Sequence, residues 1–306
     1  MALGAAEGSG EGTSLLPGAP APGSLAASRR SKLLAGPRGV VASSLSTAIV
    51  LAALVAVFLA APGSHEVRHY FFDPHDIWES FVGDPSKGLF SVGAGFVLNI
   101  ELCLVAEVLI LLLSLVLALV RLSRSSVLFP FRLLGTVYSD VFRGVPLILV
   151  IVAVGNGLPG LYLHGVSYWS LDVYAVIALV LSYVAYVSEV FRAGVLSVPP
   201  SQLAAARSLG LSHWKATRHV VLPQAIRTIV PPLLNDFISL QKDTAIVSVL
   251  GVEEAIRNAG IFSSTVFNYS SYIAAAVLFL LITIPLTRLT DWMIASDRAK
   301  RLAGGW

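Results

Sequence analysis

Several acidic and basic side chains stand inside otherwise apolar stretches, and these are the residues that could do chemistry. An ionisable group in a membrane span costs about 2.5–3.5 kcal/mol on insertion scales, so each needs a partner or a purpose. Asp236 and Asp243 are seven residues apart and share a helical face, with Lys242 about 100° around the helix from Asp243. Lys242 and Asp243 either stabilise packing between helices or recognise a zwitterion, which needs one partner of each sign. Glu101 is a further candidate for a polar path, and Glu107, six residues on, does not share its face well.

A second pattern is a five-residue segment that occurs twice in nearly the same form, at 139–143 and 188–192. Each copy places an acid and a base three residues apart, close enough to pair on one helix face. The residues concerned are Asp140, Arg143, Glu189 and Arg192. They form either two self-neutralised pairs at a membrane interface, with arginines reaching towards water, or a gate whose ion pairs exchange when the protein changes conformation.

The composition indicates what positions these residues. Of 306 residues, 56% are hydrophobic and 13% charged, and the mean hydropathy is +0.79. Soluble domains contain about 25% charged residues. The sequence therefore predicts an all-α polytopic membrane protein with about six transmembrane helices. The single cysteine, Cys103, lies in an apolar run and allows no intrachain disulfide.

Hydropathy divides the chain into five parts. The uncharged run from Val40 to Ala61 is long enough to span a bilayer. Arg29 and Arg30 before it are also compatible with a cleaved signal, although the apolar run is longer than usual for one. A fifth span over 229–252 and a kink of the sixth at Pro285 are predicted. The parts are a disordered tail over 1–38, an extra span over 39–62, a loop over 63–91, a core over 92–295 and a tail over 296–306.

The distribution of basic residues predicts the orientation. Lysine and arginine concentrate on the cytoplasmic side of membrane proteins. The basic residues on one predicted side are Arg29, Arg30, Lys32 and Arg38 before the first span, Arg121, Arg124 and Arg132 after the second, Arg207, Lys215, Arg218 and Arg227 before the fifth, and Arg298, Lys300 and Arg301 after the last. The opposite loops hold Arg68, Lys87 and Arg257. Both termini and the loop over 192–227 are therefore expected to be cytoplasmic.

This loop contains a strongly punctuated segment over 198–224. Ser201 is expected to cap a short Ala-rich helix that ends at Gly210. Ser212 is expected to cap a second helix that stops before Pro223. Such an element is either a plain connection or a surface that docks into another protein's groove.

The same segment resembles the EAA loop of ABC importer permeases. The matching residues are Ala204, Ala205, Ala206, Gly210, Leu222 and Pro223. The flanking sequence is similar to the polar amino acid branch (histidine, arginine, glutamine and glutamate uptake). That similarity rests on Phe142–Pro146, Ser188–Gly194 and Lys242–Val249, the last of which includes Asp243 and Thr244. The resemblance covers about residues 92–295.

The resemblance implies a five-helix type I permease core, preceded here by one extra span, in a bacterial cell membrane. It implies a cytoplasmic ATPase dimer that binds ATP and Mg²⁺, an extracytoplasmic amino acid binding protein, and a second permease copy or paralogue. Substrate and membrane lipid complete the expected partners, and nothing suggests nucleic acid. The chain contains no G-x-x-x-x-G-K-[ST] loop, so we expect no nucleotide cofactor and no enzymatic activity in this subunit.

One departure from the family pattern and two alternative functions remain. The family's acidic residue is Ala204 here, which removes an expected capping-box bond to Ser201 and hints at a heterodimer. A secondary transporter would use Glu101, Asp236 or Asp243 as its proton or sodium site. A membrane scaffold would leave the charges within the spans unexplained. His65, His69 and His75 are interpreted as surface residues and not as a metal site.

Overall fold

The computed structural model describes residues 37–303 and divides the chain into two compact units, Met1–His65 and Glu66–Trp306. In the first unit, helix α1 spans Pro37–Ala60. The hydroxyls of Ser44, Ser46 and Thr47 donate to carbonyls three or four residues earlier, which satisfies these polar groups within the helix. The tail predicted over 1–38 lies outside the described residues, except that Pro37 and Arg38 already belong to α1.

The remaining described chain is helical. Its α-helices are α2 (Ser64–Phe71), α3 (Pro74–Val82), α4 (Val92–Leu122), α5 (Phe129–Gly144), α6 (Leu147–Gly160), α7 (Leu171–Leu196), α8 (Pro200–Ser208), α9 (His213–Ala216), α10 (Leu222–Asp243), α11 (Ala255–Val266) and α12 (Ser270–Ala303). A π-helical segment covers Thr217–Val221, and 3₁₀ segments cover Pro85–Lys87 and Thr244–Leu250.

Four of the described helices, α1, α4, α7 and α12, are long and apolar enough to cross a membrane. A fifth candidate is the pair α5 and α6, which meet at an angle of 108°. Pro146 lacks an N–H and holds Val145 in an extended conformation, so the helical run from Phe129 to Gly160 is broken there.

The predicted fifth span over 229–252 differs most from expectation. It is the end of α10 followed by the 3₁₀ segment, and α10 does not qualify as a span by length and composition. The polar and charged residues of α10, among them Asn235, Asp236, Gln241, Lys242 and Asp243, lower its hydropathy. At the other end of the chain, α12 continues through Pro285 as far as Ala303, so most of the tail predicted over 296–306 is helical.

Helix α7 lies at the centre of the second unit and packs against α4, α5, α6 and α10. Leu179 of α7, Ile110 of α4, Ile151 of α6 and Leu240 of α10 are all fully buried in one apolar cluster. Cys103 is buried in the same cluster. This packing fixes the positions of the charged residues on α7 and α10.

A buried polar network joins α4 to α11. Asn99 donates to Thr244 and Glu254 at 3.1 Å each, and its side-chain oxygen accepts the N–H of Ala255. Glu254 caps α11 by accepting two backbone N–H groups of its first turn. Burial raises the pKa of the Glu254 carboxyl, against the opposing effect of these donors. Gly95 permits the approach, since a Cβ there would lie 2.6 Å from the carbonyl carbon of Glu254.

The loop over 63–91 is more ordered than a connecting loop. Asp73 accepts two N–H groups at the start of α3 and caps that helix. The loop is held to the start of α12, because Tyr269 donates its N–H to the carbonyl of Tyr70 and Ser270 accepts the N–H of Asp73.

Candidate translocation cavity and coupling loop

A cavity of about 230 Å³ lies where the junction of α5 and α6 meets α7 and α10. Its polar lining residues are Ser182, Tyr183, Tyr186, Asp236, Ser239 and Asp243. Phe142 and Val145, next to the break at Pro146, close the apolar side. The broken helix therefore opens onto a polar space, which is where a membrane protein tolerates irregular backbone.

The two carboxylates of the cavity have different surroundings. Asp243 accepts a hydrogen bond of 2.7 Å from the hydroxyl of Tyr183. Asp236 has a buried Oδ2, and Ser182 a buried Oγ, for which the described residues supply no hydrogen-bond partner. Glu107 of α4 lies within electrostatic range of Asp236. The cavity thus offers buried oxygen atoms that can accept hydrogen bonds from a ligand.

The structure separates the residues that the sequence placed on one path. Asp236 and Asp243 line the same cavity, as their seven-residue spacing predicts. Lys242 is exposed and is not among the lining residues, so the cavity does not offer the expected partner of each sign. Thr244 is fully buried in the network with Asn99 and donates to the carbonyl of Gln241.

Glu101, the candidate on α4 for a polar path, is exposed and does not line this cavity. Glu107 is half-buried, because it lies at the edge of the buried face of α4 that carries Cys103, Ala106 and Ile110. Ser182, Tyr183 and Tyr186 also line the cavity and were not predicted from the sequence. Their polar atoms within an apolar helix were the available signal.

The repeated acid and base segments differ in structure. Glu189 pairs with Arg192, as predicted, and also with Arg121 of α4 at 3.0 Å. Asp140 is exposed, and the described residues show no ion pair between it and Arg143. The expectation of two similar pairs is therefore met only on α7.

The loop predicted over 198–224 forms two short helices joined by a tight turn. Gly210 has a φ of +85° and ends α8 in the left-handed conformation. Ser212 caps α9 by accepting the N–H of Lys215, as predicted. Ser201 is not the cap of α8, because Pro200 takes the first helical position and Pro199 becomes the cap.

Two further expectations for this loop were wrong. The second helix does not stop before Pro223: it widens into the π segment and continues as α10, of which Pro223 is the second residue. Because Ser201 is not a cap, Ala204 is not at the capping-box position. Ala204 accepts a bond from the Ser208 hydroxyl, and Ala205 is exposed while Ala206 is buried.

Large apolar side chains of this loop face solvent. Leu209 is 85% exposed, Trp214 69% and Leu222 47%. Since exposed apolar patches mark interaction sites, the loop is suited to docking against another protein.

The helical fold, its spans and a polar cavity at a broken helix define a membrane transport subunit. Residues 110–296 match the family described as the binding-protein-dependent transport system inner membrane component, and the chain belongs to this family. Its members are transport permeases and not enzymes, and they work with an ATPase and a substrate-binding protein.

Curated relatives agree. The arginine transport system permease protein ArtQ of Bacillus subtilis is 34% identical over 195 residues, which cover 63% of this chain and 86% of that protein. The probable glutamine ABC transporter permease protein GlnM of the same organism is 37% identical over 188 residues, covering 60% and 84% respectively. The nopaline transport system permease protein NocQ of Agrobacterium fabrum is 40% identical over 164 residues, covering 50% and 69%.

Solved structures give the same result. A crystal structure of an amino acid ABC transporter with histidines has 34% sequence identity, a TM-score of 0.60, and covers 66% of this chain and 91% of that one. The MetNI methionine ABC transporter, at 17% identity and a TM-score of 0.57, covers 70% of this chain and 99% of that one and shows the fold alone. The secondary-transporter alternative receives no support from these comparisons.

Proposed function

We propose that this chain is the permease subunit of an ATP-driven importer for polar L-amino acids, and that substrate passes through the cavity between α5, α6, α7 and α10. The observation that carries the proposal is the pair of buried, unpartnered oxygens, Asp236 Oδ2 and Ser182 Oγ, that line this cavity beside Asp243. An unpaired buried polar group is costly, so a passing ligand that donates hydrogen bonds relieves a penalty. The volume of about 230 Å³ suits a small ligand.

The charges favour a particular class of polar amino acid. The cavity is lined by two carboxylates and by no basic side chain among the described residues. One carboxylate is engaged by Tyr183 and the other is free to accept the α-ammonium group. A second positive charge on the substrate would be attracted by the remaining negative charge of the cavity, which would strengthen binding. We therefore expect amino acids with cationic side chains to be preferred over neutral amides.

The coupling of transport to ATP is assigned to the loop over 198–224. Its exposed apolar residues would be covered by a cytoplasmic ATPase dimer, which binds the ATP and Mg²⁺ that this chain does not. Because α9 continues through the π segment into α10, a push on the loop would be transmitted along α10 to Asp236 and Asp243.

The remaining partners and the orientation follow from the same proposal. The chain is placed in a bacterial cell membrane as a multi-pass protein with both termini in the cytoplasm, as its basic residues predict. An extracytoplasmic amino acid binding protein delivers substrate on the opposite side. A second copy of the chain, or a paralogue, completes the permease.

The proposal is tested by purifying the chain with its native partners and measuring ATP hydrolysis in vesicles. Gly210→Pro should abolish substrate-stimulated hydrolysis while the complex still assembles. Proline fixes φ near −65°, far from the +85° observed, and removes the N–H that donates to the carbonyl of Arg207.

Gly210→Asn is the matched control, since asparagine tolerates the left-handed conformation. It should retain most of the stimulated hydrolysis. Equal stimulation in wild type and Gly210→Pro would remove the coupling role of this loop. Failure of any ATPase to co-purify would contradict the proposed function itself.

A further inference from the structure

A second cavity, of about 270 Å³, lies at the opposite end of α4 from the Asn99 network. It is formed by the last turn of α4, the start of α5 and the end of α7. Its lining residues are Arg121, Phe129, Arg132, Leu133, Thr136 and Arg192. Three of the six are arginines, which is unusual for a cavity between apolar helices.

The positive charge of this cavity is only partly neutralised. Glu189 forms ion pairs with both Arg121 and Arg192, so one carboxylate serves two guanidinium groups. For Arg132, no carboxylate of the described chain lies within ion-pair distance. Its guanidinium instead lies 5.3 Å from the ring centroid of Phe129. The cavity therefore carries a net excess of two positive charges.

The arginines also have hydrogen-bond donors to spare. Arg121 uses Nη1 for Ser139 and Glu189, and Arg192 uses Nε and Nη2 for Glu189. Arg132 uses Nη1 for the carbonyl of Ser123. Within residues 37–303, no acceptor engages Nη2 of Arg121, Nη1 of Arg192, or Nε and Nη2 of Arg132. Converging guanidinium donors match the oxygens of a phosphate group.

The shape of the site depends on a close helix approach. Gly135 of α5 faces α4, and a Cβ there would lie 2.7 Å from Cδ1 of Leu117 and 3.4 Å from Cγ of Arg121. The hydroxyl of Ser139, one turn on, accepts from Arg121 and donates to the carbonyl of Gly135. The position of Arg121 is therefore fixed by packing and by hydrogen bonds.

The surroundings indicate where the phosphate comes from. Arg121 and Arg192 stand within one or two turns of the ends of two membrane spans, α4 and α7, which is the depth of lipid headgroups. The rim is apolar and exposed: Phe129 and Leu133 of α5, which line the cavity beside the arginines, are each 53% exposed. A soluble phosphate compound would gain nothing from this rim, whereas acyl chains would cover it.

We propose that this cavity binds the headgroup phosphodiester of an anionic phospholipid, with its acyl chains against the exposed apolar side chains of α5. Bound lipid would link α4, α5 and α7 and compensate the positive charge that Glu189 leaves unpaired. The site is separate from the cavity that contains Asp236, and it requires only that the chain spans a membrane.

The test is a lipid titration of the full chain in a neutral detergent, with bound lipid counted by native mass spectrometry. Phosphatidylglycerol should bind at least tenfold more tightly than phosphatidylcholine. Arg132→Gln should weaken phosphatidylglycerol binding by about tenfold, because Arg132 contributes free donors and a charge with no carboxylate partner. Its lipid-free thermal midpoint should fall only slightly, since the variant loses one hydrogen bond to Ser123 and the contact with Phe129 but no ion pair.

Arg124→Gln is the matched control, because it removes the same charge nearby from a residue that does not line the cavity. It should leave lipid binding unchanged. Equal weakening by both variants, or equal binding of the two lipids, would overturn the proposal. Displacement of phosphatidylglycerol by glycerol 3-phosphate at the same concentration would also overturn it, since the ligand would then be a soluble phosphate.

Discussion

At the scale of single residues, the polar atoms of interest are those that lack a hydrogen-bond partner or that share an ion-pair partner. Asp236 Oδ2 and Ser182 Oγ lack a partner among the described residues, whereas Asp243 is held by Tyr183. Glu189 is shared between two arginines. The two unpartnered oxygens both line the cavity between α5, α6, α7 and α10.

The first prediction concerns Asp236. Asp236→Asn removes the charge that is free to accept an ammonium group while keeping the volume of the side chain. We expect the substrate concentration for half-maximal uptake to rise by roughly 10–100-fold, the loss of one charge-assisted hydrogen bond. Glu101→Gln, an exposed acid outside the cavity, should leave uptake unchanged in the same vesicle assay. Equal effects of the two substitutions would mean that Asp236 does not contact substrate.

A second prediction concerns the cap of α11. Glu254→Ala leaves the two N–H groups of the first turn and the amide of Asn99 without their acceptor. The free energy of unfolding should fall by about 2–3 kcal/mol, seen as a lower thermal midpoint of the purified chain. Glu253→Ala, at the neighbouring position, is the control and should have a much smaller effect. A thermal midpoint like that of the wild type in Glu254→Ala would show that the network does not stabilise the fold.

At the scale of helices, the decisive features are breaks and close approaches. The break at Pro146 opens the cavity, and the π segment before Pro223 joins the coupling loop to α10. Gly95 lets α4 approach the backbone at the start of α11, and Gly135 lets α5 approach side chains of α4.

The approach of α4 to α11 can be tested with a methyl group. A Cβ at Gly95 would lie 2.6 Å and 2.7 Å from backbone atoms of Glu254 and Ala255, which cannot rotate away. Gly95→Ala should therefore cost about 1–3 kcal/mol of stability in thermal unfolding. Gly157→Ala in α6 adds the same methyl group where no atom lies within 4 Å and should be neutral. Equal midpoints for both variants would contradict the close packing.

Hydropathy and the positions of glycine, proline and capping residues predicted many of the helices and their ends. The apolar runs of α1, α4, α7 and α12 are long, so composition alone located them. The turn at Gly210 and the cap at Ser212 could be predicted because the local backbone chemistry is decisive there. The cap at Ser201 could not, since two consecutive prolines moved the helix start by two residues.

The site was harder to predict for a physical reason. Spacing on one helix placed Asp236 and Asp243 together, but it says nothing about which neighbours face them. Tyr183 and Arg121 reach their carboxylate partners from other helices, 60 and 68 residues away in the chain. Such long-range contacts depend on packing, and the sequence pattern of one element does not determine them.

At the scale of the whole molecule, the chain consists of a family core and a segment before it. The family match begins at residue 110, whereas α1 lies in a separate compact unit that ends at His65. The exposed loop over 198–224 and the cavity of Asp236 both belong to the unit Glu66–Trp306. The cavity and the loop that we propose to carry transport are therefore both in one unit.

This division predicts the effect of a truncation. A chain that lacks residues 1–61 should insert into the membrane and support uptake within about threefold of the full chain, once both are normalised to their amounts in the membrane. The reason is that the basic residues after α4 and between α7 and α10 remain to set the orientation. Abolished uptake with unchanged membrane amounts would assign a transport role to α1.

The most direct test of the central claim is the energy source of uptake. Vesicles that contain the chain with its native partners should accumulate labelled arginine when ATP is supplied on the side of the coupling loop. Accumulation should persist when ionophores collapse the proton and sodium gradients. Uptake that follows an imposed ion gradient without ATP would contradict the account and would make Asp236 part of an ion-coupled carrier.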